Sequence, residues 1–171
     1  MNHPERNRSL QGMAAAERAH QRASGGGLGD IAIYILMRSC NAMMSERLGN
    51  LLAPHDLSGL GYITMMALYS RAENLANPSE LSEATGETRG NMTRICDELV
   101  DKGWMRRVPN ADDRRRVDLS LTDSGMALLN KLAPQLRQNA DDFYKRSFTK
   151  PEKAALLQLL TKFSDALASE L

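Results

Sequence analysis

The sequence lacks the features of a membrane or exported protein. No apolar run approaches the roughly 18 residues that are needed to cross a membrane, and the N-terminus contains no apolar signal-peptide core. We therefore expect a cytoplasmic protein with no membrane partner. With 42% hydrophobic and 25% charged residues among 171, the composition is typical of one folded, soluble domain.

The chain is also poor in residues that build metal and catalytic sites. Its two cysteines, Cys40 and Cys96, have neither the spacing of a zinc site nor that of a disulfide framework. His55 stands alone in a predicted loop, and the other two histidines lie near the N-terminus. There is no His-Glu-x-x-His sequence, glycine-rich phosphate loop or serine-nucleophile motif. The sequence thus predicts no enzyme, no metal site and no cofactor.

Charge of one sign does not dominate, but basic residues are concentrated in one segment. The net charge is only +1, which argues against a uniformly basic nucleic-acid coat. Between positions 102 and 116, however, six cations face two anions, a local balance of +4 (six minus two). Phosphate binding needs such a patch rather than a basic average. The cations are Lys102, Arg106, Arg107, Arg114, Arg115 and Arg116, and the anions are Asp112 and Asp113.

The same segment has the pattern of a β-hairpin. A strand-like stretch carries Arg106 and Arg107 into a turn rich in Pro, Asn and Asp. Residues 117–121 then alternate apolar and polar side chains, which is the pattern of a half-buried strand. The arginines at 114–116 are therefore predicted to lie at the hairpin tip.

Two short helices are predicted immediately before the hairpin. Asn77 caps the first, Pro78 takes its first position, and Gly86 ends it. Thr88 starts the second, which runs to about Lys102 and has an apolar stripe. A helix pair followed by a basic hairpin is the layout of a winged helix-turn-helix, so we predict a mostly α-helical DNA-binding protein. The stripe consists of Met92, Ile95, Cys96 and Leu99.

The second helix of such a pair lies in the major groove, and its N-terminal residues contact base edges. Arginine binds guanine, and asparagine binds adenine, through two hydrogen bonds each. A glycine in this position allows the backbone to approach the DNA closely. The alternative is an ordinary amphipathic helix with a solvated polar face. The predicted DNA contacts of this helix are Thr88, Arg89, Gly90, Asn91, Thr93 and Arg94.

The acidic residues of the hairpin allow two interpretations. In the first, Asp113 holds one arginine by a bidentate ion pair, and another arginine enters the minor groove of A·T-rich DNA. In the second, Asp112 and Asp113 merely neutralise a run of surface charge. The combination with the preceding helix pair favours the first.

Further helices are predicted on both sides of the helix pair and hairpin. A long helix spans about 28–52, and Ser58 caps another that reaches about residue 71. Thr122 caps a long helix in which Pro134 predicts a kink or a division into two helices, and Thr149 opens the last helix with a capping box. The outermost helices are more apolar than one small domain can bury, which indicates dimerisation.

Residues 1–27 are predicted to be a flexible basic tail that contains at most a short helix at about 13–22. Gly25 and the two glycines after it break any continuation of that helix. The alternatives are an arm that touches DNA phosphates and a helix that packs on a partner subunit.

These motifs closely resemble those of the MarR family of bacterial transcriptional regulators. The resemblance covers about residues 28–167 and is most specific in the wing. Within the family, the sequence is most similar to the EmrR-like repressors of multidrug efflux genes. The similar segments are Asp113–Arg115 and Leu121–Gly125 for the wing, Pro78–Ser82 and Thr88–Arg94 for the helix-turn-helix, and Glu98–Trp104 for the end of the recognition helix.

The resemblance implies one domain at 28–171, with a winged helix at about 58–122 and dimerisation helices at about 28–53 and 123–171. It implies a homodimeric repressor whose two lobes bind successive major grooves of a pseudo-palindromic double-stranded operator. A small aromatic or phenolic effector would release the DNA, and the regulated genes would serve efflux or aromatic-compound catabolism. The further DNA contacts that it implies are Ser79, Arg107, Asp113, Arg114, Arg115 and Arg116.

The implied effector pocket lies where the dimerisation helices join the DNA-binding lobe. Five of the ten methionines fall in the first two long helices, and flexible methionines suit varied apolar ligands. Arg38 and His55 can meet a carboxylate, and Tyr62 can stack or donate a hydrogen bond. The alternative is that the methionines simply fill the core. The predicted ligand contacts are Met37, Arg38, Met44, His55, Tyr62, Met65 and Met66.

Two other functions are compatible with the sequence. One is a redox-sensing regulator that responds through Cys40, although this chain has Ile33, with Tyr34 beside it, where related redox sensors place their reactive cysteine. The other is a helical interaction protein that does not bind DNA. That second function leaves both the arginine hairpin and the helix start at Asn77 unexplained.

Overall fold

The structure is a computed structural model that describes residues 4–25, 29, 31–71, 73–110 and 117–170, with the backbone alone at 4–11 and 13. The chain divides into two compact units, Met1–Gly59 and Leu60–Leu171. The first contains α1 (Pro4–Ser24), α2 (Ile31–Leu52) and a short 3-10 turn, Ala53–His55. The other elements are α3 (Gly59–Tyr69), β1 (Leu75–Ala76), α4 (Pro78–Thr85), α5 (Arg89–Asp101), β2 (Met105–Pro109), β3 (Val117–Leu121), α6 (Asp123–Ser147) and α7 (Lys150–Ala168).

Helix α1 is longer than the sequence predicts. It extends from Pro4 to Ser24, whereas the expectation was a helix of about ten residues at 13–22. The segment is rich in Ala, Arg, Glu and Gln, which all have high helix propensity, and this accounts for the added turns. The helix ends where the glycines begin, and Gly25 has a left-handed backbone with φ of 70°. The flexibility of residues 1–27 in solution stays a prediction.

The predicted hairpin is confirmed, and a third strand joins it. Strands β2 and β3 pair antiparallel, with Met105 opposite Leu121 and Pro109 opposite Val117. Strand β1 pairs with the other edge of β3, so the sheet order is β1-β3-β2. A strand of two residues has no period, and therefore the sequence pattern contains no signal for β1.

The core of the second unit is built from one face of each of the helices α3 to α6 and from the sheet. The predicted apolar stripe of α5 is confirmed, since all four of its residues are buried. The core excludes the opposite face of α5, which thereby remains available to solvent. The other buried side chains of this core include Leu68, Leu81, Met105, Leu119, Leu121, Leu129 and Leu132.

Helix α6 continues through Pro134 as a single helix of 25 residues, so the predicted division into two helices is wrong. Proline removes one backbone hydrogen bond and costs about 3 kcal/mol inside a helix. Leu129 and Leu132, which precede the proline on α6, are buried, and that packing offsets the cost. A kink at Pro134 stays a prediction.

Helix α7 begins with the predicted capping box, in which Thr149 and Glu152 bond each other's backbone N–H groups. None of its residues is buried. No helix in the described part of the chain has the length and apolar character required to cross a membrane. The large apolar side chains exposed on α7 are Leu157, Leu159, Leu160, Phe163 and Leu167.

Candidate nucleic-acid interface

The turn between α4 and α5 is held by short-range hydrogen bonds, which set where α5 begins. The Asn77 side chain accepts from the backbone N–H groups of Ser79 and Glu80, and Glu80 accepts in return from the N–H of Asn77. Gly86 ends α4 in the left-handed conformation with φ of 72°. The Ser82 hydroxyl then donates to the Glu87 carbonyl at 2.5 Å, which closes the turn.

Helix α5 presents the residues that the sequence predicts for base reading. Its polar face is exposed at Arg89, Gly90, Thr93 and Arg94, and Asn91 is half-buried. Thr88 caps the helix, because its hydroxyl oxygen accepts from the N–H of Asn91 at 3.3 Å. The cap occupies a lone pair of Thr88 and leaves its hydroxyl proton free to donate.

A chain of polar contacts runs along the exposed side of α5. The Asn91 amide Nδ2 donates to Glu87 Oε2 at 2.8 Å, and Arg94 Nη2 donates to Asn91 Oδ1 at 3.0 Å. Arg94 also lies 3.6 Å from Glu98, whose other oxygen accepts from Lys102 Nζ at 3.1 Å. Asn91 and Arg94, the two residues predicted to read bases, are therefore hydrogen-bonded to each other, and Glu87 and Glu98 hold them on either side.

An ion pair joins α5 to the hairpin. Arg107 on β2 donates to the Asp97 carboxylate on α5, and both side chains are about half exposed. This pair holds the predicted DNA contact Arg107 beside the recognition helix. A cleft of about 170 Å³ lies next to it, lined by Pro78, Thr93, Cys96, Asp97, Arg107, Val117 and Leu119.

Cys96 lines this cleft but is only 2% exposed. Burial, and secondarily the charge of Asp97, raise the pKa of its thiol to about 11, while the charge of Arg107 lowers it. A thiol with that pKa stays protonated at neutral pH and is a poor nucleophile.

The hairpin is anchored at both ends of its strands. Near the tip, Asn110 Nδ2 donates to Asp118 Oδ2 at 2.7 Å. At the base, the Thr122 N–H donates to the Trp104 carbonyl at 3.0 Å, and the Thr122 hydroxyl donates to the Gly103 carbonyl at 2.7 Å. The predicted wing contacts Asp113, Arg114, Arg115 and Arg116 lie outside the described residues.

Gly125 allows α6 to start directly against the end of the recognition helix. A β-carbon at this position would lie 2.1 Å from the Trp104 carbonyl oxygen. The Ser124 hydroxyl adds a bond to the Gly103 carbonyl at 2.9 Å. The segment Leu121–Gly125 is therefore the connection that fixes the wing and α6 to the turn after α5.

Ser79 is half-buried at the second position of α4, with its N–H bonded to Asn77. The predicted ligand contacts are divided between the two units. Met37, Arg38, Met44 and His55 belong to the first unit, and Tyr62, Met65 and Met66 to the second.

Among the second group, Met65 is completely buried, and burial raises the pKa of Tyr62. In the first unit, Met44 and Cys40 are exposed. A shared pocket for the seven predicted contacts stays a prediction. Among the described residues, no cluster of three or more His, Cys, Asp or Glu side chains could hold a metal ion.

A helix-turn-helix with an exposed polar second helix, followed by a hairpin, is the winged-helix class of DNA-binding fold. Residues 55–116 match the family model described as MarR family. The chain is 30% identical to the reduced form of MarR from E. coli, with a TM-score of 0.66, and the match covers 75% of this chain and 93% of that one. This chain belongs to the MarR family, whose members are transcriptional regulators rather than enzymes.

Two other relatives are informative about this family membership. A mutant MarR from E. coli, solved in complex with operator DNA, is 27% identical with a TM-score of 0.70, over 84% of this chain and 96% of that one. The transcriptional repressor MprA of Escherichia coli K12 is 36% identical over 103 residues. That match covers 58% of each chain, so this chain spans under two thirds of the repressor's length.

Sequence reasoning missed several residues that build the interface. Glu98 lies four residues after Arg94 on α5, and this spacing is a detectable signal on a helix. Glu87 lies four residues before Asn91 but precedes the helix, so the helical spacing rule does not apply to it. Asp97 and Gly125 had no such signal. Their partners, Arg107 and Trp104, approach only when β2 and α6 pack against the end of α5.

Proposed function

We propose that this chain is a DNA-binding transcriptional regulator that represses its genes as a homodimer on a pseudo-palindromic operator. The observation that carries the proposal is the hydrogen-bonded pair of half-buried Asn91 and exposed Arg94 on a helix whose opposite face is buried. The Arg94 side chain is 67% exposed, so its guanidinium can reach a base edge without disturbing the core. Such a regulator acts in the cytoplasm, where its operator lies.

Two relatives support the proposal. One MarR structure contains operator DNA, and MprA is described as a transcriptional repressor. Arg89, exposed at the start of α5, supplies positive charge for backbone binding, and Arg107 on β2 lies nearby in its ion pair with Asp97. We infer that the wing arginines extend this basic surface along the duplex and release counterions on binding.

The test is fluorescence anisotropy on labelled duplexes from the region beside the chain's own gene, with a shuffled duplex of equal length as the competitor. We expect saturable binding of one dimer per site and a preference over shuffled DNA of at least about 1000-fold at physiological salt. Arg94→Ala should reduce that preference by about 1–3 kcal/mol, whereas Arg137→Ala, an exposed arginine of α6, should leave it intact. Equal affinity for operator and shuffled duplex would refute the proposal.

The homodimer is supported by the apolar side chains that α7 leaves exposed. Leu160 and Phe163 lie three residues apart and are 45% and 38% exposed. Burying these apolar side chains against a partner subunit removes them from water and thereby stabilises association. The double variant Leu160→Glu/Phe163→Glu should raise the dimer dissociation constant at least about 100-fold by sedimentation, because two charges per subunit would be desolvated. Gln158→Glu, on the same helix, should leave it unchanged.

A small aromatic or phenolic effector is proposed to bind the dimer and release the DNA. Effector and DNA must weaken each other by the same factor, because the two binding equilibria are linked. Titration with a panel of aromatic carboxylic acids, with and without operator duplex, measures that factor. Arg38→Ala and His55→Ala test the predicted carboxylate contacts. We further propose that the regulator controls genes for efflux or for aromatic-compound catabolism, and that within its family it is related to the EmrR-like repressors.

A redox-sensing regulator is the second candidate, because Cys40 is exposed. Cys96 is buried and its thiol pKa is raised to about 11, so Cys40 is the cysteine available to an oxidant. Peroxide should then abolish operator binding by the wild type and spare Cys40→Ser. Binding that survives peroxide in the wild type would exclude this mechanism.

A further inference from the structure

The Asn91 amide is held in one orientation by neighbours of opposite character. On one side its Nδ2 faces the Glu87 carboxylate at 2.8 Å, and on the other its Oδ1 faces the Arg94 guanidinium at 3.0 Å. A carboxylate only accepts hydrogen bonds, and a guanidinium only donates them. Turning the amide over would place two donors together at Arg94 and two acceptors together at Glu87. Both bonds would be lost, so only one orientation is compatible with these neighbours.

This orientation determines what the side chain offers to a base. To bind the major-groove edge of adenine, an asparagine presents one N–H and one carbonyl lone pair side by side. Each Asn91 amide atom retains one such group after its contact with Glu87 or Arg94. The donor always lies on the Glu87 side and the acceptor on the Arg94 side. The order of donor and acceptor along the groove is thereby set before DNA arrives.

We propose that Glu87 is a positioning residue for sequence recognition, which acts on the bases through Asn91 and makes Asn91 and Arg94 read DNA as one unit. Glu87 precedes the cap residue Thr88 and lies outside α5. Its carboxylate adds negative charge beside a surface meant for phosphates, which lowers general affinity for DNA. We therefore expect Glu87 to lower the general affinity for DNA and to increase selectivity between base sequences. The inference rests on the proposed DNA-binding function.

Removing Glu87 should therefore change affinity and specificity in opposite directions. Glu87→Ala should bind shuffled duplex as well as the wild type or up to about threefold better, since one repulsive charge is gone. Its preference at one base pair of each half-site should fall about five- to tenfold, which is part of the discrimination given by a bidentate contact. Glu87→Gln loses the same charge but keeps an amide oxygen that accepts from Asn91, so it should retain most of that preference.

The experiment is selection from a random duplex library by full-length wild type, Glu87→Ala, Glu87→Gln and Glu83→Ala, followed by anisotropy on the selected sites. Glu83 is an exposed carboxylate on α4, and its removal matches the change in charge. The inference is supported if Glu87→Ala flattens the preference at a single base pair while the glutamine variant and Glu83→Ala keep the wild-type profile.

Three results would overturn it. In the first, Glu87→Ala selects the same base preferences as the wild type. In the second, Glu83→Ala reduces the preference at the same base pair as much as Glu87→Ala does. In the third, Glu87→Ala weakens the preference at every base pair of the site and lowers the melting temperature of the protein. The last result would assign Glu87 a role in folding rather than in positioning. If the wild type itself selects no sequence, the proposed DNA-binding function fails first, and this outcome is distinct from the other three.

Discussion

The contact between Gly125 and Trp104 leads to a sharp prediction about stability. The β-carbon of Gly125→Ala would lie 2.1 Å from the Trp104 carbonyl oxygen and 3.0 Å from its carbonyl carbon. Carbon atoms in good contact lie about 3.5–4.0 Å from their neighbours, so the start of α6 must move by roughly 1 Å or more. Both neighbours are backbone atoms of the turn after α5, and no side-chain rotation can relieve the clash.

The structure sets the magnitude of the effect. Overpacking a tight site costs about 1–3 kcal/mol. The same movement strains the bonds of Thr122 and Ser124 to the carbonyls of residues 103 and 104, each worth about 1 kcal/mol. The higher helix propensity of alanine returns up to about 1 kcal/mol. We expect Gly125→Ala to lower the free energy of unfolding by about 2–4 kcal/mol.

Gly90→Ala is the matched control. Gly90 lies in α5 with no atom within 4 Å of an added β-carbon. The substitution should raise the free energy of unfolding by about 0.5–1 kcal/mol, because alanine loses less backbone entropy in a helix. The two variants thus make the same chemical change with opposite predicted signs.

The assay is urea unfolding followed by far-UV circular dichroism, at one fixed protein concentration because association contributes to stability. If the free energy of unfolding of Gly125→Ala is within about 0.5 kcal/mol of the wild-type value, the close contact of α6 with the turn after α5 is refuted. If Gly90→Ala destabilises the protein as much as Gly125→Ala, the close approach is not the cause.

Three further predictions concern the interface and the thiols. Asn91→Ala and Arg94→Ala should each weaken operator binding by about 1–3 kcal/mol. Their double-mutant cycle should show a coupling energy of at least about 0.5 kcal/mol, because the two side chains are hydrogen-bonded to each other. Additive losses of binding free energy would contradict this prediction. Arg115→Ala should reduce the slope of log affinity against log salt by about 0.9 if the residue contacts a phosphate, and an unchanged slope would exclude that role. At pH 8 a thiol reagent should modify the exposed Cys40 in the native protein. Cys96 is buried and has a thiol pKa of about 11, so it should react only after unfolding. Mass spectrometry of the modified peptides distinguishes the two cysteines.

Helix starts were the most predictable part of the fold. Asn77, Thr88, Thr122 and Thr149 all cap the helices that the sequence assigns to them. A cap bonds backbone groups two or three residues away, so its signal lies entirely within a short segment. The apolar stripe of α5 is local in the same sense, and it predicted both the buried face and the exposed face of the recognition helix.

Errors in the prediction have a common cause in packing. Pro134 signals a break, yet α6 remains one helix, and the leucines that precede the proline, Leu129 and Leu132, are buried in the core. Arg107 stays a predicted DNA contact, and its ion pair with Asp97 joins two segments that the sequence pattern does not connect. Propensity describes a residue in its own segment, and it is overridden wherever tertiary contacts contribute more free energy.

The sequence by itself determined the order of the elements, the face of α5 that is buried and the residues that this helix presents, because caps and periodicity act over a few residues. The tertiary structure decided how these parts are held as one interface. It added β1 to the sheet, brought Asp97 to Arg107, and seated α6 on the Trp104 carbonyl across Gly125. Each of these contacts joins segments that meet only after the chain has packed, so no local pattern can encode it.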